Sequence, residues 1–198
     1  MINRRRFISL SASVLMAIRT GSVLAQKHFV PGALSPEETP SGRWTDIPLW
    51  HEVPPGGGGP IGSELLSATG GVSNVVSPSL RVFRPAHPSG KAVLIAAGGG
   101  YKRIEMGKEA WPAALWLTRL GYTAYVLTYR LPAEGWHDRG MVALQDAQRA
   151  LRIVRGREKN VSVLGFSAGG HLMGMAATRA DFSSYPEQDE LDRTRAYA

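Results

Sequence analysis

This sequence of 198 residues predicts an α/β fold with a mostly parallel sheet in a three-layer arrangement. Three observations lead there. Short apolar runs alternate with longer stretches at helical spacing. The apolar runs end in glycines or turn residues, as buried strands do. Residues 26–73 are rich in Pro, Gly and Ser, and from residue 74 the pattern becomes one of alternating strands and helices.

Taken in order, Ser79–Arg84 alternates in polarity and reads as a strand. Ala92–Ala97 is continuously apolar and runs into Gly98-Gly99-Gly100, a buried strand feeding a tight loop. Residues 109–120 read as a helix, with Pro112 tolerated in its first turn and Gly121 as its stop. Thr123–Tyr129 is a second buried strand. Across residues 139–155, Leu144, Ala147, Leu151 and Val154 recur at helical spacing, with Arg149, Arg152 and Arg155 among the polar positions. Val161–Leu164 is a third buried strand, and Ala168–Thr178 a small apolar helix. Strands alternating with helices imply parallel pairing through right-handed crossovers.

The N-terminal third is organised differently. Residues 1–25 have the layout of an export signal: a basic head at Arg4-Arg5-Arg6, an apolar run from Phe7 to Ile18, and small residues at Val23-Leu24-Ala25. The head resembles a twin-arginine signal, and the expected destination is the periplasm or the exterior. The apolar run is too short for a bilayer core of roughly 30 Å, so no stable membrane anchor is expected. Residues 26–73 form a Pro/Gly-rich leader whose extreme is the stretch from Pro54 to Pro60. Such sequence holds neither a helix nor a central strand. Trp44, Ile47, Leu49 and Trp50 allow it to drape over the domain, and a flexible tail is the equal alternative. Residues 74–198 carry the folded domain.

Composition narrows the chemistry. The net charge of +7 suggests a nucleic-acid partner until it is located. Arg4, Arg5, Arg6 and Arg19 lie in the first 25 residues, and the rest of the chain has 19 basic against 16 acidic side chains. That is no phosphate-binding stripe. Cysteine is absent, which removes disulfides, thiolate catalysis and cysteine metal sites. No sequence pattern points to a catalytic metal.

The chemistry-bearing signal is Gly165-Phe166-Ser167-Ala168-Gly169-Gly170. A Gly-x-Ser-x-Gly pattern alone is weak, but this one follows a predicted buried strand and opens a helix. That junction turns so sharply that small residues must flank the serine, and Gly165, Gly169 and Gly170 meet the need. The turn lifts the Ser167 hydroxyl above the sheet edge, with the helix dipole directed at it. Upstream, Gly98-Gly99-Gly100-Tyr101 follows its own strand and offers backbone N–H groups without Cβ interference. Gly99, Gly100 and Ala168 are the candidate oxyanion donors. A plain glycine turn is the alternative. A dinucleotide loop fails because Arg103 stands where a third glycine belongs, and a phosphate P-loop fails for want of a following Gly-Lys-Ser/Thr.

Four ordered stretches together resemble the secreted acetyl-xylan/feruloyl esterase branch of the α/β-hydrolases. They are Ala97–Tyr101, Tyr129–Pro132, Leu144–Ala150 and Gly165–Leu172, with Ile47–Trp50 similar to the leader of such proteins. The resemblance implies a serine esterase that removes acyl groups from plant polysaccharide. Its substrate would be an acylated carbohydrate or small ester, and it would need neither metal nor organic cofactor.

In that fold the nucleophile is followed by an acid and then a histidine. After Ser167 the histidine available is His171, four residues along the elbow helix and poorly placed as a base. The acids Asp181, Glu187, Asp189, Glu190 and Asp192 follow a helix that carries the chain roughly 16 Å away. They are expected on a surface loop. His137, after the Thr123–Tyr129 strand, could line a substrate groove. The resemblance implies further strands, so the chain is expected to be truncated after the elbow helix, with Val161–Leu164 at a sheet edge. Besides the esterase, two readings stay open: a fragment or pseudoenzyme that binds carbohydrate or a partner, and an oligopeptidase-like hydrolase.

Overall fold

A computed structural model describes residues 44–196. The export signal of residues 1–25 and the first part of the leader lie outside the described residues.

The elements run β1 (Trp44–Pro48), β2 (Leu65–Leu66), β3 (Gly71–Ser73), β4 (Ser79–Phe83), β5 (Lys91–Ala96), β6 (Ile104–Glu105), α1 (Trp111–Arg119), β7 (Thr123–Thr128), α2 (Met141–Arg157), β8 (Asn160–Gly165) and α3 (Ala168–Thr178). A wide π-type turn, Met106–Ala110, leads into α1, so this helix begins two residues later than its sequence suggests. The main sheet has the order β1-β4-β7-β5-β8, antiparallel at β1–β4 and β4–β7, parallel at β7–β5 and β5–β8. Four strands therefore point one way and β4 alone runs against them. A small second sheet, β2-β3-β6, lies outside the sequence reading.

Leu94, Ile95, Tyr125 and Leu127 are fully buried in the middle of the sheet. The chain steps from β5 through α1 to β7 on one side, then back through α2 to β8 on the other. Right-handed crossovers in opposite directions put α1 and α2 on opposite faces. The reversal occurs at β5, so the loops leaving β5 and β8 open a crevice at the carboxyl ends of the strands. β8 is an edge strand with Ser162 exposed and Val163 and Leu164 only half-buried.

The described part of the leader, residues 44–73, is more firmly built than a flexible tail. β1 pairs along its whole length with β4, and Leu49 and Trp50 are buried. The glycine stretch docks on the loop after β7: Gly59 N–H donates to the Gly135 carbonyl and His137 N–H to the Gly57 carbonyl, both near 3.1 and 3.0 Å. A Cβ on Gly59 would lie 2.5 Å from the Trp136 ring. That approach, rather than flexibility, explains the glycine there.

A larger correction concerns α2. Arg149 and Arg152, read as polar-face residues, are buried, because α2 is covered on its outer side by residues 49–50 and 184–194. Arg149 donates to the Leu49 carbonyl at 2.9 Å, to Asp189 at 2.7 Å and to Asp192 at 2.9 Å. Arg152 donates to Tyr185 Oη at 2.9 Å, and Tyr185 in turn donates to Asp192 at 2.5 Å. Two of the five loop acids are thus tied into the core rather than free on the surface. The neighbouring pair is deeper still. Arg130 and Asp146, both fully buried, meet at 2.8 Å, and Trp50 Nε1 donates to Asp146 at 2.9 Å. The Arg130 guanidinium also stacks 4.9 Å from the Trp136 ring and donates to the Pro55 carbonyl.

Candidate active site

β8 ends at Gly165 and α3 begins at Ala168, leaving Phe166 and Ser167 to make the turn. Ser167 has φ 46° and ψ −116°, a conformation costly for a residue with a Cβ. Close packing on both sides holds it there. A Cβ on Gly169 would lie 2.1 Å from the Ala96 carbonyl oxygen, and one on Gly165 would lie 2.5 Å from Gly169 O and Gly170 Cα. Neither position tolerates a side chain, so α3 starts directly against the end of β5. Phe166 N–H donates to the Ala96 carbonyl at 3.0 Å, and the Ser167 carbonyl accepts from His171 N–H at 3.0 Å. The Ser167 side chain is left exposed at the crevice.

The loop after β5 lies against this turn. A Cβ on Gly98 would come within 2.9 Å of Ser167 Cβ and 2.7 Å of the Phe166 carbonyl oxygen. Gly99, Gly100 and Tyr101 all have positive φ, at 119°, 65° and 59°, so three successive residues curl in the left-handed region. The curl is fastened at several points. Tyr129, fully buried, donates its hydroxyl to the Ala97 carbonyl at 2.8 Å, and Glu105 N–H donates to the Gly98 carbonyl at 3.0 Å. Gly98 N–H donates to Glu109 Oε2 at 2.6 Å. Tyr101 Oη lies 2.8 Å from His171 Nδ1, bridging the loop to α3. Burial raises the Tyr101 and Tyr129 hydroxyls above their ordinary range, so both stay neutral.

The structure therefore brings together Ser167, Ala168 and the glycine loop, from elements 67 residues apart in sequence at Gly100 and Ser167. It does not bring the acids to them. Asp181 pairs with Arg195 at 3.1 Å on the surface, and Asp189 and Asp192 serve Arg149. His137 is exposed on the loop after β7, packed by the glycine stretch. Among the described residues, no side chain is hydrogen-bonded to Ser167 Oγ. Sequence reasoning missed Glu109 and the Tyr101–His171 bridge. Among the described residues, no group of three His, Asp or Glu could hold a metal ion. Also among them, no helix is long and apolar enough to cross a membrane.

Comparison with known proteins gives a consistent likeness. No family model matches the chain. An acetylxylan esterase of Xylanibacter ruminicola is 34% identical over 111 residues, which is 52% of this chain and 22% of that protein. The crystal structure of an acetyl ester-xyloside bifunctional hydrolase from Caldicellulosiruptor lactoaceticus superposes with a TM-score of 0.54 and 29% identity. That match covers 78% of this chain and 54% of the other. A propionate-bound thermophilic esterase of the Planctomycetes species Thermogutta terrifontis shares the fold, with a TM-score of 0.50 at 23% identity over 64% of this chain and 48% of its own. The chain thus spans about half the length of the solved esterases it matches, and a smaller share of the curated one.

Proposed function

We propose that this chain, an esterase-like α/β-hydrolase by sequence and fold, acts as a serine carboxylic-ester hydrolase on acetylated or feruloylated plant polysaccharide. The observation that carries the proposal is the backbone of Ser167. An L-residue is held at φ 46° between β8 and α3, with its hydroxyl exposed against the glycine loop. In the proposed reaction Ser167 Oγ attacks the acyl carbon, its proton passing through water to the departing sugar oxygen, and the carbonyl oxygen takes the negative charge. Gly99, Gly100 and Ala168 N–H groups stabilise that charge, the sugar hydroxyl leaves, and water then releases the acid. Gly98 N–H is already engaged by Glu109, which supports assigning the donors to the two following glycines. Each such donor is worth about 10²–10³ in rate. The proposal uses neither metal nor organic cofactor. Export to the periplasm or exterior through residues 1–25 belongs to it, supported by the Arg4-Arg5-Arg6 head.

A second reading, a carbohydrate- or partner-binding pseudoenzyme, is favoured by one observation: among the described residues, no histidine or carboxylate is hydrogen-bonded to Ser167 Oγ. Hydrolysis of para-nitrophenyl acetate by the chain and by Ser167→Ala decides between them. Release that disappears in the variant supports the esterase. Equal background in both supports the binding protein.

A further inference from the structure

Glu109 stands outside both the elbow and the glycine loop, yet it reaches the point where they meet. It sits in the π-type turn Met106–Ala110, and its Oε2 accepts the Gly98 N–H at 2.6 Å. That contact is a short, direct backbone-to-side-chain hydrogen bond. The position a Cβ would take on Gly98 is 3.2 Å from the same oxygen and 2.9 Å from Ser167 Cβ. Carboxylate, glycine and serine therefore crowd one spot. The other side of the Gly98 residue is fixed as well, because its carbonyl accepts the Glu105 N–H at 3.0 Å.

A negative charge so close to a developing oxyanion opposes its formation. The carboxylate thus has no direct electrostatic use there, and its value must lie in geometry. By accepting the Gly98 N–H, it fixes the start of the left-handed curl through Gly99, Gly100 and Tyr101.

We propose that Glu109 is a positioning residue of the oxyanion hole: it fixes the Gly98 peptide so that the Gly99 and Gly100 N–H groups face the oxygen of an ester held by Ser167. The inference rests on the esterase reading above. It predicts that the acceptor atom matters and the charge does not. Glu109→Gln keeps an oxygen for Gly98, whereas Glu109→Ala removes it.

The test uses the full chain and follows two signals, Ser167-dependent hydrolysis of para-nitrophenyl acetate and the Gly98 amide resonance. Glu109→Ala should lower kcat by about 10-fold to 100-fold with KM little changed, the loss expected when catalytic donors shift by an ångström or less. Glu109→Gln should recover kcat to within a few-fold. The Gly98 amide proton should lie downfield in wild type and Glu109→Gln, and move upfield in Glu109→Ala. Full kcat in Glu109→Ala, a Glu109→Gln enzyme as slow as Glu109→Ala, or a Gly98 resonance indifferent to Glu109 would each overturn the proposal. A parent chain without any Ser167-dependent turnover overturns the esterase reading and the catalytic role with it. A Gly98 resonance that still tracks Glu109 in that chain would mark the failure as that of the reading, not of the contact.

Discussion

Around α2 the molecule buries charge, whereas around Ser167 it exposes backbone. Arg130, Asp146, Arg149 and Arg152 are buried and paired, and they tie the segment from Leu49 to Pro55 and the segment from Tyr185 to Thr194 onto one helix. At the crevice the groups that meet are glycines, one hydroxyl and peptide N–H groups. Two of the four stretches that resemble the esterase family, Tyr129–Pro132 and Leu144–Ala150, belong to the first region. The other two belong to the second. Half of the family signature is therefore framework, and a charged residue in a matching motif is no guide to catalysis.

Substitutions can break that contrast. The largest stability effect is expected inside the buried pair. Asp146→Ala strands the Arg130 guanidinium and the Trp50 indole N–H, and should destabilise the chain by about 3–5 kcal/mol, read as a lower urea midpoint. A comparable effect on hydrolysis with a larger one on folding would fit the framework role; loss of hydrolysis with unchanged stability would not. Next comes Gly169→Ala, whose Cβ would meet the Ala96 carbonyl at 2.1 Å. It should destabilise by about 1–3 kcal/mol and abolish Ser167-dependent hydrolysis, since α3 must retreat from β5.

A smaller, pH-dependent effect belongs to Asp189. The Arg149 guanidinium holds its carboxyl at about 2, below the ordinary value of 3.8. A carboxyl depressed on folding adds stability that is present above its unfolded value and lost as pH falls through its folded one. Acid unfolding followed from pH 5 to pH 2 should therefore show a loss between roughly pH 4 and pH 2 that Asp189→Asn reduces. The same sensitivity in the variant would remove Asp189 from the account. The smallest effect is at the exposed pair of Asp46 and Arg81, 2.8 Å apart on β1 and β4. Asp46→Ala should cost less than about 1 kcal/mol, and less again in high salt.

Much of this was legible in the sequence. The alternation of apolar runs and helical spacing located β4, β5, β7, β8, α1, α2 and α3, because strands buried on both faces carry unmistakable runs. The turn at Ser167 was legible because only small residues fit around it. The status of Arg149 and Arg152 was not, since helical periodicity reports one apolar stripe and cannot tell that the opposite stripe is roofed by distant chain. β1 was hidden by its short, proline-ended sequence at the edge of the sheet. Glu109 was hidden for a different reason: its contact is with a backbone N–H, and no side-chain pattern announces such a partner.

The central claim is that Ser167 is a reactive nucleophile in a preformed oxyanion site. Incubation of the chain with an aryl alkylphosphonate, followed by intact-mass and peptide mapping, addresses it without requiring turnover. The account predicts a single phosphonyl adduct on Ser167, absent from Ser167→Ala and slowed in Glu109→Ala. No adduct on Ser167, or equal labelling of wild type and Ser167→Ala, would contradict it.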